Sequence, residues 1–303
     1  MEDLELWKSI TINRLSNRML FMAKKTSFFR LVFTALPLGF ISVGIGYFAF
    51  QFFHRDETRS TAKPSEIENV NFNKMSWPDV QHLTSSGMEP LSKADLDACR
   101  SSLGLAKEQE APAHSDNFGD RDSKDVLGRK IPNNPALIIL HETVISAPAT
   151  INLFQTPHPK DNDQASYHMM VSQKGDLTRF VPDESRAYGA GYSRFGDFTV
   201  HSKSPNNFSV NNVALHISLE TPPDGRGDVA SHSGYTGDQY NTLAKQVLLW
   251  QAKYGIPIFR VTTHASVDRS HSRYDPRTFR WDLFDVYHRK HAATCGLVNL
   301  TLT

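Results

Sequence analysis

The stretch ALIILHET at residues 136–143 decides the fold class, because its continuous apolar run ends directly at a histidine. Such a run is typical of a strand that lies at the centre of a sheet and is buried on both faces. A second stretch, IPIFRVTTH at residues 256–264, also predicts a strand that ends in a histidine. The two stretches therefore predict strands that present His141 and His264 at their carboxyl ends, where open sheets place residues for chemistry.

The segments between and after these stretches predict the rest of an α/β domain. A hairpin, two more regular segments and a closing helix follow from hydrophobic periodicity and turn residues. They are the hairpin at 166–173 and 177–181, a strand at 212–220, a capped amphipathic helix at 236–255 and a helix at 281–291. The expected architecture is a mixed central β-sheet flanked by helices.

Two strand-end histidines point to a metal site, because ligands of a catalytic metal must converge from rigid elements. Catalytic zinc takes three protein ligands and leaves a fourth position open. His141 and His264 supply two of them in this interpretation. The third ligand is expected from the loop after His264, where Asp275 and His271 are both candidates.

An uncharged run of 23 residues at 31–53 predicts a single transmembrane helix that precedes the domain. Six basic residues precede this run, and only three lie among the fifteen residues that follow it. The positive-inside rule then places residues 1–30 in the cytoplasm and the remainder outside. We therefore expect a single-pass protein of the cell inner membrane, with its catalytic domain on the periplasmic side.

The remaining boundaries follow from composition. Residues 54–116 are polar and are interpreted as a tether that contains a short helix within 91–110, followed by the globular domain at 117–296 and a tail at 297–303.

The chain has 33 basic and 32 acidic residues, a net charge of +1, which argues against a nucleic-acid partner. An oxidising compartment would permit Cys99 and Cys295 to pair; two unpaired thiols are the alternative, since sequence does not place their Cα atoms.

Four segments in this order carry a resemblance to a known family. They read LIILHET, ASYHMMVSQKGDLTRFVPDESRAYGAG, NNVALHISLE and THASVDRSHSRYDPRTFRW. Together they resemble the amidase-2 family of zinc N-acetylmuramoyl-L-alanine amidases, which is akin to peptidoglycan recognition proteins and phage lysozyme-type amidases. The resemblance covers about residues 117–291. It implies a Zn²⁺ cofactor held by His141, His264 and Asp275.

The resemblance also implies residues for the proton and charge chemistry. Arg273 stands where relatives have a lysine or similar cation two residues before the last ligand, and it supplies charge and donors. Tyr167, directly before a histidine, matches the catalytic tyrosine of phage-type relatives. Other relatives use a glutamate that aligns with Ser218 here, so Glu220, two residues on and on the same strand face, is the alternative acid or base.

Two positions depart from the family pattern. Arg277 replaces the usual glycine after the proline, which alters the turn but not the ligand. The family segment AWHAG reads AYGAG at 187–191, so that its histidine is replaced by Gly189. This second departure puts the finer substrate contacts in doubt, whereas the metal ligands are unaffected.

The function implied is zinc-dependent hydrolysis of the amide bond between N-acetylmuramic acid and L-alanine in peptidoglycan. Two alternatives stay open at this point. One is a peptidoglycan-binding module without catalysis, and the other is an amidase that faces the cytoplasm and recycles soluble muropeptides. The expected partners are the peptidoglycan or muropeptide substrate and, through residues 31–53, the membrane.

Overall fold

A six-stranded mixed sheet lies at the centre of the computed structural model, which describes residues 89–131, 133–195, 200–227 and 229–301. The strands are β1 (Gln109–Glu110), β2 (Phe118–Asp120), β3 (Leu137–Glu142), β4 (Met169–Val171), β5 (Leu177–Arg179), β6 (Ser185–Ala187), β7 (His201–Ser204), β8 (Asn207–Phe208), β9 (Ala214–Leu219) and β10 (Val261–Thr263). The α-helices of this part are α1 (Lys93–Ser102), α2 (Ala147–Gln155), α3 (Gly237–Tyr254), α4 (His264–Val267) and α5 (Trp281–Thr294).

The strand order β1-β5-β4-β9-β3-β10 confirms the expected mixed sheet. Strands β4 and β5 form the predicted antiparallel hairpin, and β3 pairs in parallel with both β9 and β10. Among the described residues, β2 pairs with β6 and β7 pairs with β8 in two small antiparallel ribbons. The parallel centre of the sheet holds the predicted strand at 136–140, whose observed bounds are Leu137–Glu142.

Both faces of β3 are covered, which explains its unbroken apolar run. Ile138 and Leu140 pack on one face against helix α3 and Phe284, in a cluster with Leu215 and Ile217. Leu137 and Ile139 point to the opposite face and join a second cluster. Because side chains alternate along a strand, His141 continues the second face, and on β9 His216 and Ser218 also lie on that face.

Helix α3 begins and ends at the residues that the sequence predicts. The Thr236 side chain accepts from the backbone N–H of Gln239, and the Gln239 side chain accepts from the backbone N–H of Thr236, which completes a capping box. At the other end Gly255 has φ 67°, the left-handed conformation that glycine adopts without a Cβ penalty. Helix α5 covers the predicted 281–291 and extends to Thr294.

Strand β10 is shorter than the predicted segment 256–264. Pro257 precedes a 3-10 turn at Ile258–Arg260, and only Val261–Thr263 pair with β3. Proline lacks a backbone N–H and cannot continue the ladder, which accounts for the late start. His264 then opens the short helix α4 directly after the strand.

The two ends of the described chain pack together, in contrast to the predicted tether and tail. Leu103 of the N-terminal region and Leu297 and Leu300 of the C-terminal region lie in one buried cluster with Leu248 of α3. The helix within the expected tether is thus part of the folded unit, and so is most of the expected tail. The physical reason is the apolar face of α1, whose Leu96 and Cys99 pack against this cluster beside α3.

A disulfide joins the two ends covalently. Cys99 in α1 is bonded to Cys295, which follows α5, with a Cα–Cα distance of 5.1 Å and a sequence separation of 196 residues. The alternative of two unpaired thiols is therefore wrong. A cross-link across such a long loop restricts the unfolded chain strongly.

We expect the double variant Cys99→Ser/Cys295→Ser to be less stable than the wild type by about 2–4 kcal/mol, because the unfolded state regains loop entropy. Urea unfolding of the purified full-length chain measures the difference. A reducing agent should destabilise the wild type and leave the double variant unchanged. Equal unfolding curves for both proteins would contradict a stabilising role of the bond.

The predicted transmembrane segment at 31–53 lies outside the described residues, as do residues 1–30, which were expected in the cytoplasm, and the first part of the expected tether. Within the part of the chain that the structure describes, no helix combines the length and the apolar character needed to cross a bilayer.

Candidate metal centre

The parallel register of β3 and β10 brings the two strand-end histidines together. Leu140 of β3 pairs with Thr263 of β10. The residues that follow them, His141 and His264, therefore lie side by side at the same edge of the sheet. Their ring centroids are 4.7 Å apart. Asp275 reaches the same point from the loop after α4, and the three side chains form a possible ligand set for a metal ion.

Two of the distances within this set are close to those around a tetrahedral zinc ion. Oδ2 of Asp275 lies 3.2 Å from Nδ1 of His141 and 3.2 Å from Nδ1 of His264. Ligands about 2.0–2.1 Å from a tetrahedral zinc are about 3.3–3.4 Å from one another. Two imidazoles and a carboxylate are also donor types that zinc accepts. The residues present therefore fit the ion by chemistry and by these two distances, and all three donor atoms lie within 4.8 Å of one another.

Burial and neighbouring groups set the charge states of His141 and Asp275. His141 has no exposed surface, whereas His264 and Asp275 keep 6% and 8%, so the cluster reaches solvent on their side. Burial lowers the pKa of His141 to about 4, which keeps the imidazole neutral, as a metal ligand must be. Burial acts to raise the pKa of Asp275, but His264 and His141 outweigh it and hold that pKa below its usual range.

Backbone hydrogen bonds hold the loop that carries Asp275. The backbone N–H of Ala265 donates to the carbonyl oxygen of Asp275 at 3.0 Å. Earlier in the loop, the carboxylate of Asp268 accepts from the backbone N–H groups of Ser270, Ser272 and Arg273. The loop is therefore ordered around two carboxyl-bearing residues, and only Asp275 faces the histidines.

A buried ion pair connects this loop to the strand of His141. Glu142 and Arg277 have side chains that are 0% and 3% exposed, and the guanidinium binds both carboxylate oxygens. The same carboxylate lies within hydrogen-bond distance of His232 Nε2 at 3.1 Å and accepts from the hydroxyls of Tyr235 at 3.1 Å and Thr221 at 3.3 Å. Since Glu142 follows one ligand and Arg277 lies two residues after another, the pair fixes the two ligands relative to each other.

Two of the sequence-predicted catalytic residues lie at the ligand cluster. The Tyr167 ring stacks on the His141 ring with centroids 4.5 Å apart. Burial, and then the charge of Asp275, raises the pKa of Tyr167 above its ordinary value, so the phenol keeps its proton. Arg273 is exposed, and its charge acts on both His141 and Tyr167, which places the guanidinium within electrostatic reach of them.

The other candidates are placed differently. Both carboxylate oxygens of Glu220 are engaged, one by the backbone N–H of Ala147 and the Arg226 side chain and the other by the backbone N–H of Gln173. These contacts favour a structural role for Glu220 over an acid or base at the metal. His271, the alternative third ligand, is exposed on the loop with φ 56°.

Ser218 stands at the position where some relatives have their glutamate. It is fully buried, and its hydroxyl donates to the carbonyl oxygen of Met169 at 3.4 Å. A serine so engaged does not supply a titrating group. Of the catalytic residues predicted from sequence, this leaves Tyr167 and Arg273 at the cluster.

Sequence reasoning missed the supports behind the ligands. Two of these supporting residues could have been suspected from sequence. Glu142 directly follows the ligand His141, and Arg277 stands where the family usually has a glycine. His216 lies behind His141 in the structure, with its Nδ1 2.9 Å from the Nε2 of that ligand. Only the register of β9 against β3 reveals that contact.

Part of this chain is similar to a known protein family. The family model described as N-acetylmuramoyl-L-alanine amidase (Amidase_2) matches residues 131–278. Similar solved structures include a selenomethionine derivative of AmpD, with 20% identity over 61% of this chain and 97% of that chain and a TM-score of 0.44. A mutant endolysin from Bacillus subtilis has 16% identity over 61% of this chain and 99% of that chain, with a TM-score of 0.42. The Staphylococcus aureus hydrolase AmiA, solved with its ligand, has 16% identity over 71% of this chain and 98% of that chain, with a TM-score of 0.40. No curated protein sequence matches this chain.

Proposed function

We propose that this chain, which carries a domain of the N-acetylmuramoyl-L-alanine amidase family at residues 131–278 and is a peptidoglycan amidase, hydrolyses its substrate with the help of zinc held by His141, His264 and Asp275. The observation that carries this proposal is the convergence of three donor atoms within 4.8 Å of one another, with Asp275 3.2 Å from each histidine. The substrate bond is the amide between the lactyl group of N-acetylmuramic acid and L-alanine.

The reaction joins a water oxygen to the lactyl carbonyl carbon, breaks the carbon–nitrogen bond and adds a proton to the alanine nitrogen. When bound, zinc supplies a Lewis acid that polarises the carbonyl and activates the water. Two neutral imidazoles and one carboxylate leave a net charge of about +1 at the site, which favours the negative charge that develops on the carbonyl oxygen.

In this proposal Arg273 stabilises the negative charge on the carbonyl oxygen, and Tyr167 assists proton transfer. The guanidinium of Arg273 supplies positive charge and hydrogen-bond donors to the developing oxyanion, a role that involves no proton transfer. Tyr167 carries its phenolic proton against the face of His141. Its hydroxyl lies 3.5 Å from the carbonyl oxygen of Glu142, a weak contact that leaves the hydroxyl free to turn toward substrate.

We expect Tyr167→Phe to lower turnover by roughly 10²-fold while zinc stays bound, because only the hydroxyl is lost and the ring still stacks on His141. Hydrolysis rates on purified sacculi and zinc content of the same samples measure the two effects separately. Unchanged turnover would remove Tyr167 from the proton-transfer step.

Glu220→Gln provides the comparison for the alternative acid or base. The contacts of Glu220 with two backbone N–H groups lead us to expect a loss of stability and little direct effect on the chemistry. A folded Glu220→Gln protein without activity, beside a fully active Tyr167→Phe, would transfer the role to Glu220.

Metal dependence is tested by removing and restoring the ion. Elemental analysis of the purified full-length chain should give about one zinc per chain. Treatment with a chelator should abolish hydrolysis of sacculi, and added zinc should restore it. Full activity of metal-free protein would refute the zinc proposal, whereas metal-free protein that still binds sacculi would favour a recognition module.

We further propose that residues 31–53 anchor the enzyme in the inner membrane with the catalytic domain in the periplasm. Three observations support this location: the uncharged run itself, the excess of basic residues before it, and the Cys99–Cys295 disulfide, which suits an oxidising compartment. The substrate in that location is the polymeric wall.

Topology is measured with reporter enzymes fused after Thr303. A reporter that requires the periplasm should be active, and one that requires the cytoplasm should be inactive. Protease added to spheroplasts should remove the domain and spare residues 1–30. Protection of the whole domain would overturn this orientation and favour recycling of soluble muropeptides, with the same chemistry at the metal.

A further inference from the structure

A second histidine lies directly behind the ligand His141. His216 sits on β9, where the parallel register pairs it with Ile139, so it is a diagonal neighbour of His141 on the same face of the sheet. Its Nδ1 is 2.9 Å from the Nε2 of His141, on the side of that ring away from Asp275. The ring of His216 has no exposed surface.

The space for this ring is left by Gly189. A Cβ built on Gly189 would lie 2.4 Å from Nδ1 and 2.6 Å from Cγ of His216, closer than atoms can approach. Gly189 does not have the positive φ that requires glycine at other positions of this chain. Its missing side chain therefore serves the neighbouring imidazole and not a turn. This accounts for the departure of the segment AYGAG from the family pattern.

The proposed metal site decides which nitrogen of His141 carries the proton. A metal ligand needs a free lone pair, so Nδ1 of His141 is unprotonated and its proton resides on Nε2, which donates to Nδ1 of His216. The backbone N–H of His216 donates to Nδ1 of His168 at 3.0 Å, and the two rings stack with an interplanar angle of 7°. His216 is thus held firmly with its acceptor toward His141.

This arrangement has a cost that an apolar residue would avoid. The proton of His216 then resides on Nε2, which is buried without a hydrogen-bond partner among the described residues. Leaving a buried donor unpaired is unfavourable, and a leucine of similar size would fill the space without that penalty. The acceptor at Nδ1 is the feature that leucine lacks.

We propose that His216 is a positioning residue of the metal centre, which orients His141 and fixes its tautomer so that Nδ1 faces the ion. The inference rests on the proposed zinc site, but it concerns a residue that does not touch the metal. Outer hydrogen-bond partners of ligating histidines typically change metal affinity by about 10–100-fold when they are removed.

The test measures the zinc dissociation constant of the full-length chain by competition with a chromophoric chelator. His216→Leu fills the space without an acceptor, and it should raise the dissociation constant by about 10–100-fold. His216→Asn places an amide oxygen near the former position of Nδ1, and it should recover most of that affinity. His288→Leu is the matched control: His288 is a fully buried histidine bonded to Gln251 between α3 and α5, so its replacement should leave zinc affinity unchanged.

Gly189→Ala tests the shared space. In the wild-type background its Cβ displaces His216, so it should weaken zinc binding as much as His216→Leu does. In a His216→Ala background the added methyl meets no ring, and it should have little further effect. Thermal unfolding of each variant identifies the temperature range in which all of them are folded for these measurements.

Several outcomes separate the inference from the proposed function. Wild-type affinity in folded His216→Leu would overturn the positioning role, and so would folded His216→Asn that binds zinc as weakly as His216→Leu. A wild-type chain that binds no zinc would instead contradict the proposed metal site itself.

Discussion

Asp275→Ala and His264→Ala should each bind zinc poorly and lower hydrolysis of sacculi by roughly 10³-fold or more. A two-ligand site holds the ion weakly and misplaces the water, and the lost Lewis-acid stabilisation of several kcal/mol corresponds to about three factors of ten in rate. His141→Ala should behave in the same way. Zinc content and rate are measured on the same preparations.

His271→Ala is the matched control for the third ligand. His271 lies on the same loop as Asp275 but is exposed, so its removal should have at most a mild effect on zinc content and activity. If His271→Ala lost zinc while Asp275→Ala kept it, the assignment of the third ligand would be reversed. Full zinc and full activity in His264→Ala would contradict the site as a whole.

Arg277→Met should destabilise the folded chain by about 3–5 kcal/mol, because it leaves the carboxylate of Glu142 buried without its cationic partner. Urea unfolding of the full-length chain measures the loss. The double variant Glu142→Gln/Arg277→Met should be more stable than Arg277→Met alone, since no unpaired buried charge remains.

Arg280 supplies the control for that measurement. It pairs with Asp282 in the same region of the chain, but the two side chains are 60% and 65% exposed. Exposed ion pairs contribute little to stability, so Arg280→Met should unfold close to the wild type. Similar losses of unfolding free energy for Arg277→Met and Arg280→Met would contradict a stabilising role of the Glu142–Arg277 ion pair between the two ligand-bearing segments.

The strand-end histidines could be predicted from sequence because local rules determine them. An apolar run that stops at His141, and a second predicted strand that stops at His264, place both histidines at the ends of strands, where open sheets carry residues for chemistry. The capping residues of α3 are equally local, and its observed bounds follow from Thr236 and Gly255.

Features that depend on contacts between distant segments could not be predicted from the sequence by such local rules. The choice between Asp275 and His271 depends on the path of a loop, and the pairing of Cys99 with Cys295 depends on how α1 docks beside α3 and α5. Polar composition suggested a tether for a segment that in fact packs through a few apolar residues. The contact of His216 with His141 arises from strand register, which the sequence leaves open.

The bond that the enzyme breaks is the most direct test of the central proposal. Zinc-loaded full-length protein is incubated with purified sacculi, and the soluble products are analysed by mass spectrometry beside a chelator-treated sample. We predict free stem peptides that begin with L-alanine, glycan strands with unsubstituted lactyl groups, and no such products without zinc. Cleavage of a different bond, or the same products from the metal-free protein, would contradict a zinc-dependent amidase acting at this site.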